Sequence, residues 1–123
     1  RITVQYHDGR HPNQVATLTR GHGGGSLLKL TYDKPGKNVQ FDYPIDAARY
    51  SDLLTAIRRA KFDQLDDQPD VPFFGVDLWL IERASGSFYH DVVLQPETAR
   101  GFYRELILAI REHLKEAIRA IDS

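Results

Sequence analysis

The chain contains no cysteine. Disulfides, thiol nucleophiles and cysteine-type zinc sites are therefore excluded. It also lacks methionine and begins at Arg1. A translation product starts with methionine, so the expectation is that something upstream was removed: a signal peptide, a lipoprotein leader, another domain or a tag. No apolar run approaches the roughly 20 residues needed to cross a bilayer. An excess of either charge is missing too, with 16 Lys and Arg against 17 Asp and Glu. General binding to nucleic acid or anionic membrane needs surplus positive charge to displace counterions, so the balance argues against both.

What is present suits one domain spanning residues 1–123. A chain of this size buries roughly two thirds of its unfolded surface, enough for a core without staples. Four strand-like runs come first: Ile2–His7, Gln14–Arg20, Ser26–Asp33 and Val39–Tyr43. In the third, Leu28, Leu30 and Tyr32 share a face; in the fourth, Val39, Phe41 and Tyr43 do. Turn-rich stretches separate them, which predicts an antiparallel meander. Asp46 then reads as the N-cap of a helix whose apolar face is Tyr50, Leu53, Leu54 and Ile57, closed by Arg58, Arg59 and Lys61.

A loop over "FDQLDDQPDVP" leads to a hairpin, Phe74–Arg83 and Ser87–Gln95, apolar on both faces and so expected to be covered on both. Pro96 opens a last helix, predicted to run to Ile121 on a stripe of Phe102, Leu106, Ile110, Leu114, Ala117 and Ile121. At about 1.5 Å per residue it would reach nearly 40 Å, so its far end is expected to project, or to pack on a partner as a dimer contact. The fold class is α+β: an antiparallel sheet of about six strands with two helices, in the order ββββ-α-ββ-α.

Chemistry-bearing motifs are few. "RGHGGGS" over Arg20–Ser26 leads into a strand, where a phosphate loop would lead into a helix, and reads as a hairpin connection. His7, His11 and His22 match no metal-ligand spacing, so neither a metal nor a cofactor is expected. The cations Arg100, Arg104, Arg111, Lys115 and Arg119 would align on the last helix, largely neutralised by Glu97, Glu112 and Glu116. Asp63, Asp66, Asp67 and Asp70 form either a solvated loop or an acidic patch for a cationic protein. No nucleophile motif is present, and the chain is expected not to be an enzyme. Glu82, His90 and Asp91 are the residual acid–base candidates if they meet across the hairpin.

One stretch stands out: Glu82–His90, "ERASGSFYH". Taken as a two-residue turn at Ser85-Gly86, it sets Ala84 opposite Ser87, Ile81 opposite His90 and Trp79 opposite Val92. Its "SGSFY" resembles the Ser-Gly-x-x-Tyr signature of the bacterial periplasmic lysozyme inhibitors. The resemblance implies a loop inserted into a lysozyme cleft. Ser85 would meet the catalytic acid, Gly86 would make the turn, Ser87 would share the contact and Tyr89 would order the loop. The last helix and the missing cysteines depart from that family's small barrels and its c-type branch. An immunity protein acting similarly on another scaffold belongs to the same expectation.

The expected function is a non-enzymatic binding protein of the bacterial envelope, periplasmic or anchored to the outer membrane as a lipoprotein. More narrowly, it would inhibit a cationic peptidoglycan hydrolase. The alternative is a structural or interaction domain of an envelope assembly.

Overall fold

A computed structural model describes residues 1–21 and 25–119. His22 and Ile121, singled out above, lie outside the described residues. Six strands form one antiparallel sheet: β1 (Ile2–Gln5), β2 (Gln14–Arg20), β3 (Ser26–Lys34), β4 (Lys37–Ile45), β5 (Leu78–Ser85) and β6 (Phe88–Leu94). Their order is β4-β3-β2-β1-β5-β6. The first four make the expected meander. The chain then returns from one edge to the far side of β1 through helix α1 (Ala47–Arg59). Helix α2 (Phe102–His113) follows β6, so the fold is α+β in the order ββββ-α-ββ-α. None of the described helices is long and apolar enough to cross a membrane.

Period-2 alternation sorts the side chains. Ile2, Val4, Ala16, Leu28, Leu30, Tyr32, Trp79, Ile81, Val92 and Leu94 are all buried on one face, beneath the helices. The other face carries no second layer among the described residues: Leu27 is exposed, while Leu78, Leu80 and Val93 are half-buried. The expectation that the hairpin is covered on both faces is thus corrected. The single pair of helices among the described residues lies on one side of the six strands and leaves the other without a covering layer.

α1 begins as its sequence dictates. Asp46 Oδ1 accepts a hydrogen bond of 2.7 Å from the Arg49 backbone amide, satisfying a first-turn donor. Pro44 lies one residue before the end of β4, on the edge strand of the sheet, where proline is tolerated. Past α1, Lys61 adopts a left-handed φ of 60° and the chain turns, seating Phe62 in the core.

The predicted helix from Pro96 to Ile121 does not form as one rod. Pro96–Thr98 is a single 3-10 turn, and Gly101 takes φ 60° and ψ −131°, outside any helix. After His113 the chain breaks again at Leu114, and Lys115–Ile118 forms another 3-10 turn. The reason is burial: the bend places Leu114 and Ala117 in the core. Polar contacts hold the returned segment. Tyr32 Oη donates to the Arg119 carbonyl at 2.8 Å. Arg49 bonds Glu116 through both terminal nitrogens, at 3.0 and 2.6 Å, and donates to the His113 carbonyl at 2.9 Å. The expected far end thus does not project among the described residues; the chain folds back over the core. Phe102, expected on its apolar stripe, is exposed.

Arg49 holds the Glu116 carboxyl below its ordinary value of 4.5, and Arg83 holds Asp63 below 3.8. Both folded values lie under the unfolded ones. Their stabilisation is therefore complete above the unfolded values and drains away as pH falls through and below them. Stability should hold from neutral pH down to about pH 5 and decline below about pH 4.5. Glu116→Gln should cost about 1 kcal/mol at neutral pH and flatten that decline. Urea titrations across the pH range measure both; an unchanged slope in the variant counts against the assignment.

Candidate functional site: the β5–β6 tip

The hairpin turn sits one residue later than expected. Ser85 faces Phe88 as the last strand pair, so Gly86-Ser87 is the turn. Gly86 has φ 58° while Ser87 has no positive φ, the type II′ arrangement with glycine first. Ile81 consequently faces Val92, Trp79 faces Leu94 and Glu82 faces Asp91, correcting the register read above. Ser85, Gly86 and Ser87 are all exposed. Ser85 and Phe88 belong to the helix-side face; Tyr89, 56% exposed, belongs to the other. Ser85 and Tyr89 of the quoted motif thus leave opposite faces.

An added Cβ at Gly86 would meet nothing within 4 Å, so the demand for glycine comes from the backbone alone. Gly86→Val should therefore lower stability by about 1–2 kcal/mol, the cost of a left-handed residue with a side chain. Thermal unfolding tests this. A change within error would show that the turn rearranges freely.

The base of the tip is clamped on both faces. On the open face, Arg1 makes a fork to Glu82, 2.9 Å on each arm, and Tyr89 Oη donates to the same carboxylate at 2.8 Å. The Arg1 guanidinium lowers the Glu82 carboxyl, and Glu82 pushes the Tyr89 phenol well above its ordinary range. On the helix face, Arg83 forks onto Asp63 at 3.1 and 2.7 Å and lies 4.8 Å over the Phe88 ring. Two ion pairs in fixed fork geometry hold the strands beneath a small, exposed Ser-Gly-Ser apex.

The acidic segment divides. Asp63 is engaged with Arg83 near the tip. Asp67 Oδ1 accepts from the Val93 amide at 2.8 Å, and the Gln68 amide donates to the Val93 carbonyl at 2.9 Å. Gln68 Oε1 accepts from the Gln95 amide, and Tyr103 Oη donates to the Asp66 carbonyl at 2.6 Å. The loop thus covers the outer edge of β6, whose free amides would otherwise pair with another strand. The Asp66 and Asp70 side chains stay exposed. Val93 lies five pairs back from the tip, roughly 17 Å at about 3.3 Å per residue, so only Asp63 joins the apex itself.

The acid–base candidates do not converge. Glu82 and Asp91 face each other on the open side, but His90 turns to the helix side. There His90 Nε2 lies 2.8 Å from the Leu65 carbonyl, with its ring edge-on to Phe62. Alternation separates neighbours 90 and 91, a consequence sequence proximity hides. His7 pairs with Asp77 at 2.7 Å and His11 with Asp8 at 2.6 Å. The cation stripe on the last helix dissolves with the breaks at Gly101 and Leu114. Arg111 instead lies 5.6 Å over Trp79.

Four contributors to exposed surface escaped the sequence reading. Arg1 and Arg83 clamp the tip, as described. Phe73 and Phe74, 74% and 91% exposed, occupy a loop where a strand was expected to begin. Pro72 before them and Gly75 after them, with φ 75°, were the available signal of a turn. No family model matches this chain, and neither does any curated protein or solved structure.

Proposed function

We propose that this protein is a non-enzymatic binding module whose β5–β6 tip inserts into a partner protein. The observation that carries this reading is the apex at Ser85, Gly86 and Ser87: exposed, small, and clamped at its base on both faces. A tip held this way loses little conformational entropy on docking. A hydroxyl beside glycine reaches into a narrow cleft where a bulkier side chain would clash.

The narrower reading makes the partner a peptidoglycan hydrolase of the bacterial envelope, inhibited when Ser85 hydrogen-bonds its catalytic carboxylic acid. Its support is the "SGSFY" resemblance and the Tyr89–Glu82 bond that steadies the motif's tyrosine. The exposed carboxylates of Asp66 and Asp70 would draw in a cationic hydrolase from the flank. Ser85→Ala should weaken binding roughly tenfold to a hundredfold, the cost of leaving a desolvated polar partner unpaired. Its thermal stability should match the parent, since Ser85 is exposed. Calorimetric binding and inhibition assays against c-, i- and g-type lysozymes test this. If no hydrolase is inhibited, or Ser85→Ala inhibits equally well, the hydrolase reading fails.

A second reading, an interaction domain of an envelope assembly, is favoured by the exposed Phe73-Phe74 pair. It lies near Leu78, at the opposite end of β5 from the tip. Stoichiometric inhibition of a hydrolase separates the two.

A further inference from the structure

The two edges of the sheet differ. Along β6, the loop at Asp67 and Gln68 takes up the outward backbone groups of Val93. Along β4, among the described residues, nothing hydrogen-bonds to the backbone of Asn38, Gln40 or Asp42. The ladder shows which groups of β4 face outward. The Asp33 amide donates away from β4, to the Asn13 carbonyl at 2.9 Å, and Asp33 stands opposite Asn38. Asn38 is therefore at a non-hydrogen-bonded position of the β3–β4 pair, and its own N–H and C=O point out. By alternation so do those of Gln40 and Asp42, and the carbonyl of Pro44. Free edges are commonly blunted by lysine and proline, but here Lys37 and Pro44 stand only near the two ends of the strand.

The helix layer also stops short of this edge. Leu28, Leu30 and Tyr32 of β3 are buried, yet of the residues opposite them Tyr43 and Val39 are half-buried and Phe41 is 42% exposed. An apolar strip thus runs beside unpaired backbone. The strand complements itself in one antiparallel register. With Gln40 opposite Gln40 of a second copy, Asn38 meets Asp42 and outward groups meet outward groups on both sides of the centre. Val39 then lies opposite Phe41 and Lys37 opposite Tyr43, so no like charges meet. Pro44, which lacks an N–H, falls beyond the ladder. The adjacent register on one side sets Pro44 against Asn38, and on the other sets Asp42 against the turn at Gly36. We propose that the free edge of β4 pairs antiparallel with β4 of a second copy, on a twofold axis through Gln40, joining the two sheets into one. The hairpin tip lies at the opposite edge, so this proposal is independent of any partner there.

Sedimentation of the intact chain over a range of concentrations tests it, and a dimer is expected. Gln40 is exposed, so its variants should keep the fold. Gln40→Lys sets like charges across the axis and should weaken the dimer roughly fivefold. Mixing Gln40→Lys with Gln40→Glu should restore it. The chain has no cysteine, so single cysteines report the register. Gln40→Cys should form a disulfide between copies on mild oxidation, because Cα atoms of a hydrogen-bonded pair are about 5.5 Å apart. Asn38→Cys should not, since the two copies of Asn38 would be about 13 Å apart at about 3.3 Å per residue. A monomer at every concentration up to about 1 mM overturns the proposal. So does a dimer insensitive to Gln40→Lys, a mixture no stronger than its components, or Asn38→Cys crosslinking as readily as Gln40→Cys.

Discussion

Trp79→Ala should destabilise the protein by about 3–5 kcal/mol, the range for truncating a large buried aromatic. Trp79 is 4% exposed and stands mid-sheet, opposite Val4 on one side and Leu94 on the other. Arg111 covers its ring from α2. Removing the indole opens space that backbone on two neighbouring strands cannot collapse to fill. Domains of this size have a total stability of about 5–15 kcal/mol, so the loss is a large fraction of it. Urea unfolding should show a lower midpoint with an unchanged slope. Trp79 is the single tryptophan, so the comparison needs circular dichroism in place of fluorescence. A loss below about 1 kcal/mol would mean the indole is not buried against α2.

Leu114→Ala should cost about 2–5 kcal/mol. Leu114 is 4% exposed because the chain bends after His113 and folds back over the core. On a straight helix running out to Ile121 the same substitution would be nearly silent, since its end would face solvent. Leu108→Ala is the control: that side chain is 48% exposed on α2, before the bend, so its loss should stay near 0.5 kcal/mol or below. Equal losses at the two positions, measured by urea unfolding, would contradict the bend. A large Leu114 loss that Glu116→Gln deepens through the Arg49 pair would support it.

The hydrolase-inhibitor proposal draws on the stretch Ser85–Tyr89. The structure has an exposed apex with two braces there. It also shows that the carboxylates once grouped as a patch serve different ends, Asp63 at the tip and Asp67 on the edge of β6. Carboxylates that already accept hydrogen bonds from the chain offer less to a partner than their number implies.

Local order was legible in the residues themselves. The alternation of Leu28, Leu30 and Tyr32 put those three side chains on the buried face of β3, because a pleated strand has a period of two. Asp46 marked the start of α1, because a short carboxylate next to free amides is a local hydrogen bond. The hairpin register was not legible. Moving every pair by two residues leaves each side chain on its own face, so periodicity cannot choose between Ile81 opposite His90 and Ile81 opposite Val92. Contacts of β6 with the distant loop choose it: His90 Nε2 at the Leu65 carbonyl, the Val93 amide on Asp67 and the Gln95 amide on Gln68. The last helix failed for a related reason. Its stripe from Phe102 to Ala117 satisfies helical periodicity, but periodicity says nothing about whether a core exists along the whole rod. The chain instead bends back onto β2 and β3, and burial of Leu114 and Ala117 outweighs the helical hydrogen bonds given up at the bend. Sequence alone thus determined which faces are apolar and where the first helix starts, since neighbouring residues decide those. Only the tertiary structure decided the register, the bend, and which charges meet, since those depend on groups distant along the chain.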